Sequence, residues 1–309
     1  MRLIIGFFRL IRLPNLIFIA LTQVLFQVCV YQSLAGLPDK WLPETGFILL
    51  LFASLFIAAA GYIINDYFDI NIDEINKPGK MVVDKVINRR WAIAWHFVLS
   101  FAGIVLTVLA VPVLEKWYLI VANIFCVLLL WFYSTRFKKQ LLTGNVIISL
   151  LTAWTILIIF YSKTGAGFVN QEVNYHRFFR VAFLYAGFAF ISSLIREAIK
   201  DMEDMPGDAK YKCRTMPIVW GVNTTKVYVA VWLIVLLAIL VVVQVYILEF
   251  KKWWFAVVFC VLAIIVPLVY IFYKLFGANT VNDFHKLSRW IKLVMLAGIL
   301  SMIFFYIYL

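Results

Sequence analysis

Charge is scarce in this sequence. Only 14% of the residues are charged and 65% are hydrophobic, whereas about a quarter of a soluble domain is charged. No polar stretch is long enough to fold as a soluble domain of its own. Acids are the rarer sign, 16 Asp and Glu against 28 Lys and Arg, so any place where carboxylates gather carries information. Cysteine is sparse too: Cys29, Cys126 and Cys260 lie inside apolar segments and Cys213 stands alone in a loop. Without a CxxC pair, a disulfide framework or zinc ribbon is not expected. His96, His176 and His285 fall in separate segments and give a zinc site little support. No small-residue cleavage site follows the first apolar segment, which is therefore expected to be retained rather than removed as a signal peptide.

What the chain has instead is long apolar runs. A segment of about 20 apolar residues spans a bilayer core, and about nine such segments are present, near residues 15–35, 45–65, 91–113, 117–134, 145–163, 178–196, 226–248, 253–275 and 290–308. The expected fold is all-α: one polytopic transmembrane bundle over residues 1–309, a single membrane-embedded domain. The stretch MRLIIGFFRLIRLPN before the first span reads as an amphipathic helix on the membrane surface. A net charge of +12 would suit nucleic acid, but its distribution does not. Sorted by loop parity, roughly 21 basic residues fall on the side of the N-terminus and roughly 7 on the other. The excess is a topology signal that puts the N-terminus in the cytoplasm and the protein in the cytoplasmic (inner) membrane as a multi-pass protein. No nucleic-acid partner is expected.

The acids gather in two loops on that basic side. NDYFDINIDEINKPGK follows the second span and REAIKDMEDMPGDAKYKCR the sixth. Asp66, Asp69, Asp73 and Asp201, Asp204, Asp208 repeat one D-x-x-D-x-x-x-D spacing about 135 residues apart, as an internal duplication would. Steps of three and four put such residues on one helix face. In the second copy Pro206 and Gly207 are expected to end the helix before Asp208. Acids at a span end are most often solvated loop charges, but two matched clusters on one side argue for a shared task. Facing carboxylates need cations to stay ionised, and Mg2+ takes such oxygens together with substrate phosphates. Basic neighbours would be redundant for a metal alone. Lys77, Lys80, Arg196, Lys200, Lys212 and Arg214 make sense as ligands of phosphate oxygens, so the pattern reads as a diphosphate site at the cytoplasmic face. Transport or calcium binding would also use acids, but the EF-hand pattern with its central Gly and terminal Glu is absent.

At NDYFDINID the sequence resembles the UbiA superfamily of membrane prenyltransferases, whose first signature N-D-x-x-D-x-x-x-D is matched by Asn65, Asp66, Asp69 and Asp73. The family's second signature, D-x-x-x-D, has two equivalents at the right spacing, Glu197 with Asp201 and Asp204 with Asp208, and spacing does not choose between them. YSTRFK supplies the family's Tyr and Lys as Tyr133 and Lys138, and TGN follows. The family's N-K-P-x-R-P reads NKPGKM here, so Lys80 keeps the charge but not the bidentate fork.

The resemblance implies an enzyme in which Asn65, Asp66, Asp69, Asp73, Glu197, Asp201, Asp204 and Asp208 hold Mg2+. Of these, Asp66, Asp69, Asp201 and Asp204 are central to catalysis. The partners implied are a polyprenyl diphosphate, which ionises to an allylic cation, and a lipophilic acceptor that attacks it within membrane lipid. Aromatic faces stabilise a cation, and Tyr67, Phe68, Trp131, Phe132 and Tyr133 are candidates for that role. R-E-x-x-K-D-x-E-D-x-x-G-D at 196–208 resembles the branch that transfers geranylgeranyl to a prenylglyceryl phosphate. An aromatic acceptor, as in quinone or haem-O synthesis, is the alternative. A transporter is a more distant one, because ionisable residues avoid the span centres where transporters bind.

Overall fold

The structure is a computed structural model that describes residues 2–36, 44–77, 79, 81–164 and 172–309. Its helices in chain order are α1 (Arg2–Leu10), α2 (Leu13–Leu34), α3 (Thr45–Phe68), α4 (Ile70–Asn76), α5 (Arg89–Ala110), α6 (Val113–Thr135), α7 (Thr143–Lys163), α8 (Glu172–Lys210), α9 (Met216–Val219), α10 (Val222–Leu248), α11 (Lys251–Gly277) and α12 (Val281–Tyr308). Nine of them are long and apolar enough to cross a membrane among the described residues, as the apolar runs predict. The outward faces stay apolar: Phe101, Val242 and Leu114 are 73%, 69% and 96% exposed, which suits lipid and not water.

In lipid, apolar contact between helices gives little net drive, and association rests on close packing and interhelical hydrogen bonds. Both are present. A Cβ on Gly103 of α5 would stand 2.7 Å from Ile57 and 3.2 Å from the Ala53 carbonyl of α3, so the bare glycine lets those helices touch. Gln23 Nε2 donates to Ser54 Oγ at 3.0 Å and to the Thr155 carbonyl at 3.0 Å, tying α2 to α3 and α7. Asn123 Nδ2 donates to Thr107 Oγ1 at 2.8 Å between α6 and α5. Such bonds contribute about 0.6 kcal/mol each on average. Two of the three histidines are tethers: His96 Nδ1 meets the Ala60 carbonyl at 3.0 Å and His285 Nδ1 meets Glu203 Oε1 at 2.7 Å.

Two local departures matter for the site. The α3 helix does not run unbroken through the acids. It pauses at Asp69 (φ −92°, ψ 0°) and resumes as α4, while Asp69 N–H still donates to Asn65 O and Asp73 N–H to Asp69 O. The second departure corrects the sequence expectation at Pro206 and Gly207, because α8 continues past both to Lys210, 39 residues in all. A proline inside a helix forfeits a backbone bond and crowds the preceding turn. Here the side chain of Asn76 serves the backbone beside it: Asn76 Nδ2 donates to the Asp204 carbonyl at 2.9 Å and Gly207 N–H donates to Asn76 Oδ1 at 2.8 Å. Asp208 therefore sits on helix rather than loop.

Candidate active site

A cavity of about 320 Å3 opens between α2, α3, α6, α7, α8 and α12. Its walls follow helical steps of three and four. On α3 the lining runs Asn65, Tyr62, Ala58 and Ser54; on α8 it runs Asp208, Asp204, Asp201, Glu197, Ser193 and Ala189. Along α8 polarity falls with depth, from carboxylates through Ser193 to Ala189, while α3 passes from Asn65 and Tyr62 to the small residues Ala58 and Ser54. Trp154, Met295 and Met302 are among the deeper apolar lining residues. A ligand with an anionic head and a hydrocarbon tail fits that gradient.

In the first acidic arm the carboxylates are met by cations from other elements. Arg12 Nη2 lies 2.6 Å from Asp66 Oδ1, and the guanidinium sits 5.2 Å from the ring centre of Tyr62. Arg12 reaches there from a left-handed backbone (φ 50°) between α1 and α2, a strained geometry for a residue with a Cβ. Asp69, only 2% exposed, accepts from Asn65 Nδ2 at 2.8 Å and pairs with the Lys138 ammonium. Burial works against the charge on Lys138, but Asp69 together with Tyr133 and Asp73 outweighs it and holds the ammonium above its ordinary pKa.

In the second arm Arg196 Nη1 meets Glu197 Oε1 at 2.9 Å, with Lys200 4.0 Å from the other oxygen. Asp201 Oδ2 accepts from Asn145 Nδ2 of α7 at 2.9 Å. Asp204 Oδ2 pairs with Lys77 Nζ, from the first arm, at 2.9 Å. With Asn76 holding the Asp204 carbonyl and Gly207, two successive residues of the first arm tie it to the second.

Of the residues singled out from sequence, Asn65, Asp69, Asp73, Lys77, Tyr133 and Lys138 line this cavity, as do Arg196, Glu197, Lys200, Asp201, Asp204 and Asp208. Both candidate pairs of the second motif are present at its wall. Asp66 stands behind Arg12 rather than at the surface of the cavity. Tyr67 packs on the cluster around α1 and α3, edge-on to Phe68 at 5.1 Å. Phe68 in turn meets Trp131, which lies against His96 and Phe97, and Phe132 is half-exposed beside Phe137; none of these rings is among the lining residues. Lys212 and Arg214 are exposed and outside it, and Lys80 lies outside the described residues. Sequence reasoning missed Arg12, Asn15, Tyr62, Asn145 and Lys292, which all line the cavity. The available signals were the position of Asn145 in TGN and of Lys292 inside an apolar span.

Three carboxylates of the cavity wall have no cation within ion-pair distance among the described residues: Asp73, Asp201 and Asp208. Asp73 and Asp208 occupy the last place in each copy of the repeat, and Asp201 the first place of the second copy. Burial, followed by the neighbouring charge of Asp69, raises the pKa of Asp73. Asn65 Oδ1 is a buried amide oxygen without a hydrogen-bond partner. Hard oxygens left uncompensated in this way suit Mg2+. Among the described residues no three potential ligands already converge on a point, because Asp66, Asp69, Asp204 and Glu197 are each drawn to a nearby cation. The donor set therefore fits a divalent ion. Asn65, Asp69 and Asp73 on one arm and Asp201, Asp204 and Asp208 on the other are the residues that would hold it.

The comparisons with known proteins agree with this geometry. The model of the UbiA prenyltransferase family matches residues 24–296. Digeranylgeranylglyceryl phosphate synthase of Methanosphaera stadtmanae is 30% identical over 257 residues, 82% of this chain and 86% of that one. The synthase of the same name from Saccharolobus solfataricus is 28% identical over 96% of this chain and 95% of its own. Among solved structures, one described as a digeranylgeranylglyceryl phosphate synthase covers both chains completely with a TM-score of 0.67 at 24% identity. A UbiA homolog from Archaeoglobus fulgidus bound to DMAPP and Mg2+ matches with a TM-score of 0.59 at 15% identity, over 96% of this chain and 99% of that one. The paired acidic arms, the Tyr133–Lys138 segment between them and the family match over most of the length lead to one conclusion: this chain belongs to the UbiA prenyltransferase family and is a multi-pass membrane prenyltransferase.

Proposed function

We propose that the protein transfers a polyprenyl group, geranylgeranyl by the resemblance of its second motif, from its diphosphate to the hydroxyl of a prenylglyceryl phosphate. The observation that carries this reading is the pair of acidic arms, each ending in a carboxylate without a cation, at the mouth of a cavity that turns apolar with depth. The names of the curated relatives support the acceptor. The Mg2+ and DMAPP in a protein of the same fold support the donor and the metal.

The allylic C–O bond of the donor breaks and the diphosphate leaves with the electron pair. The acceptor hydroxyl oxygen forms the new C–O bond, and its proton passes to the departing diphosphate. Mg2+, when bound, neutralises charge on the diphosphate and makes it a better leaving group. The chain's own part is electrostatic and positional. Lys77, Lys138 and Lys200 are placed to take phosphate oxygens, a contribution that grows as charge develops on the leaving group. Each then exchanges or shares its carboxylate partner: Asp204 for Lys77, Asp69 for Lys138 and Glu197 for Lys200. Tyr133, at the same wall, offers an aromatic face to the allylic cation. The apolar depth excludes water that would otherwise capture that cation. The positive-side count supports an arrangement in which the acidic mouth faces the cytoplasm, in the cytoplasmic membrane, with residues 1–309 as one domain.

The test is direct. Purified protein in detergent is given geranylgeranyl diphosphate, Mg2+ and either a prenylglyceryl phosphate or a hydroxybenzoate, and the products are identified by mass spectrometry. An ether product from the glyceryl phosphate is expected. Prenylated hydroxybenzoate alone would replace this reading with an aromatic acceptor, and no diphosphate release with either would end it.

A further inference from the structure

Lys292 is a cation without a counter-charge inside a membrane span. It lies well within α12 and lines the cavity. Its ammonium donates to Asn15 Oδ1 at 3.0 Å and stands 4.9 Å from the ring centre of Phe18. Among the described residues it has no carboxylate within ion-pair distance. The charged groups that bear on it most are Arg196 and Lys200, both of its own sign. The helix register explains the meeting. His285 of α12 pairs with Glu203 of α8, and the two helices run in opposite directions. About two turns further on α12, Lys292 comes level with Arg196, about two turns back on α8.

Arg196 is itself only partly satisfied. One of its terminal nitrogens meets Glu197, but Nε is buried with no partner. Placing like charges side by side in a low-dielectric span is unfavourable, and intramembrane ionisable groups mark ligand sites for that reason. Lys292 stands near the start of the last apolar run, where a topology charge also sits, but it lines the cavity and is held there by Asn15. The cations of the acidic mouth are arranged differently: Lys77 and Lys138 each rest on a carboxylate, Asp204 and Asp69. The cavity thus has two cationic regions, one balanced by acids throughout and one in which Arg196 has Glu197 but Lys292 has no carboxylate.

We propose that Lys292, Arg196 and Asn15 form a second anion seat, which binds the phosphate monoester of the acceptor lipid. This rests on the proposed function, in which the donor's diphosphate occupies the acidic arms and any further anion belongs to the acceptor. An ammonium and a guanidinium N–H converge from two helices, as recognition of a tetrahedral dianion requires. Asn15 holds the Lys292 ammonium in place through its amide oxygen. Arg196, grouped by motif alone with the diphosphate ligands, is thereby assigned to the acceptor. Fixing the phosphate fixes the glyceryl hydroxyl a few bonds away, and with it the position of the attacking oxygen.

The experiment compares wild type with Lys292→Met and Lys292→Arg under steady-state conditions. Donor and acceptor are varied separately, and a prenylglycerol lacking phosphate serves as second acceptor. Lys292→Met is expected to raise the KM for the phosphorylated acceptor at least about tenfold, the size of a lost charge-assisted hydrogen bond. Its KM for prenyl diphosphate should stay within about twofold. The same variant should lose most of the preference for phosphorylated over unphosphorylated acceptor, and Lys292→Arg should restore much of it. Should Lys292→Met fail to elute as a folded protein in detergent, Arg196→Lys takes its place: it keeps the charge, removes the Nε donor and should weaken acceptor binding with the same split. An equal rise in both KM values would assign the seat to the diphosphate, and unchanged values would reduce Lys292 to a topology charge; either overturns the proposal. Wild-type turnover with the phosphorylated acceptor is read separately and tests the function itself.

Discussion

The two acidic arms carry one spacing on two different backbones. The first breaks at Asp69 and continues as the short α4, and its acids are met by Arg12 from the chain start and Lys138 from the segment after α6. The second is an unbroken helix that crosses a proline, and its acids are met by residues of its own turn, by Asn145 of α7 or by Lys77 from the opposite arm. The pairing pattern differs, since only the second arm leaves its first Asp without a cation, yet both arms leave the last Asp of the repeat open. A shared requirement at the mouth of the cavity, rather than a shared local fold, accounts for that agreement. The largest expected effect tests whether the arms are both indispensable. Asp69→Ala and Asp204→Ala should each lower kcat by at least about a hundredfold, the scale of losing preorganised electrostatic stabilisation, with the protein still folded by size-exclusion chromatography. Excess chelator should stop the wild type altogether. Wild-type turnover in either variant would break the equivalence of the arms and the diphosphate assignment with it.

A finer comparison uses the carboxylates left open at the last place of each arm. Asp73→Asn and Asp208→Asn each remove one uncompensated charge while keeping the shape. Both should raise the Mg2+ concentration for half-maximal rate at least about tenfold, measured by metal titration. If one shifts it more than about tenfold beyond the other, the arms share the metal unequally. Lys77→Ala comes next in size. It should raise the KM for prenyl diphosphate about tenfold, because Lys77 both faces the ligand and holds Asp204. An unaltered KM would leave Lys77 as a strut between the arms.

The spans were legible because lipid imposes apolarity at a length that hydropathy detects. The sixth span shows the limit. Its apolar run ends near residue 196, but the helix continues to Lys210, since apolarity records contact with lipid while helicity needs only satisfied backbone. Beside Pro206 the Asp204 carbonyl and the Gly207 N–H are held by Asn76, in a different segment, and local rules had no access to it. The same distinction divides the site. Carboxylates, Lys77, Tyr133 and Lys138 belong to motifs whose spacing can be read along the chain. Arg12, Asn15 and Lys292 reach the cavity by tertiary packing of the first and last spans, and none has a motif of its own. Aromatic identity alone was a poor guide: Tyr133 lines the cavity, whereas Phe68 packs on Trp131, and Trp131 on His96 and Phe97.

The smallest expected effect concerns how the arms are joined. A Cβ on Gly207 would lie 2.6 Å from the Asn76 side chain, closer than packed atoms approach, so Gly207→Ala must push Asn76 off the second arm. Overpacking of that kind costs about 1–3 kcal/mol, read as a lower melting temperature in detergent with reduced activity. Asn76→Ala alone should cost a similar ~1–3 kcal/mol by removing the bonds to the Asp204 carbonyl and the Gly207 N–H. The informative variant is the double one. If Asn76 is what Gly207 makes room for, the alanine at 207 becomes nearly harmless once Asn76 is truncated. The two losses should then fall short of adding by about 1 kcal/mol or more. Additive losses would mean that Gly207 is needed for the helix past Pro206 and not to make room for Asn76.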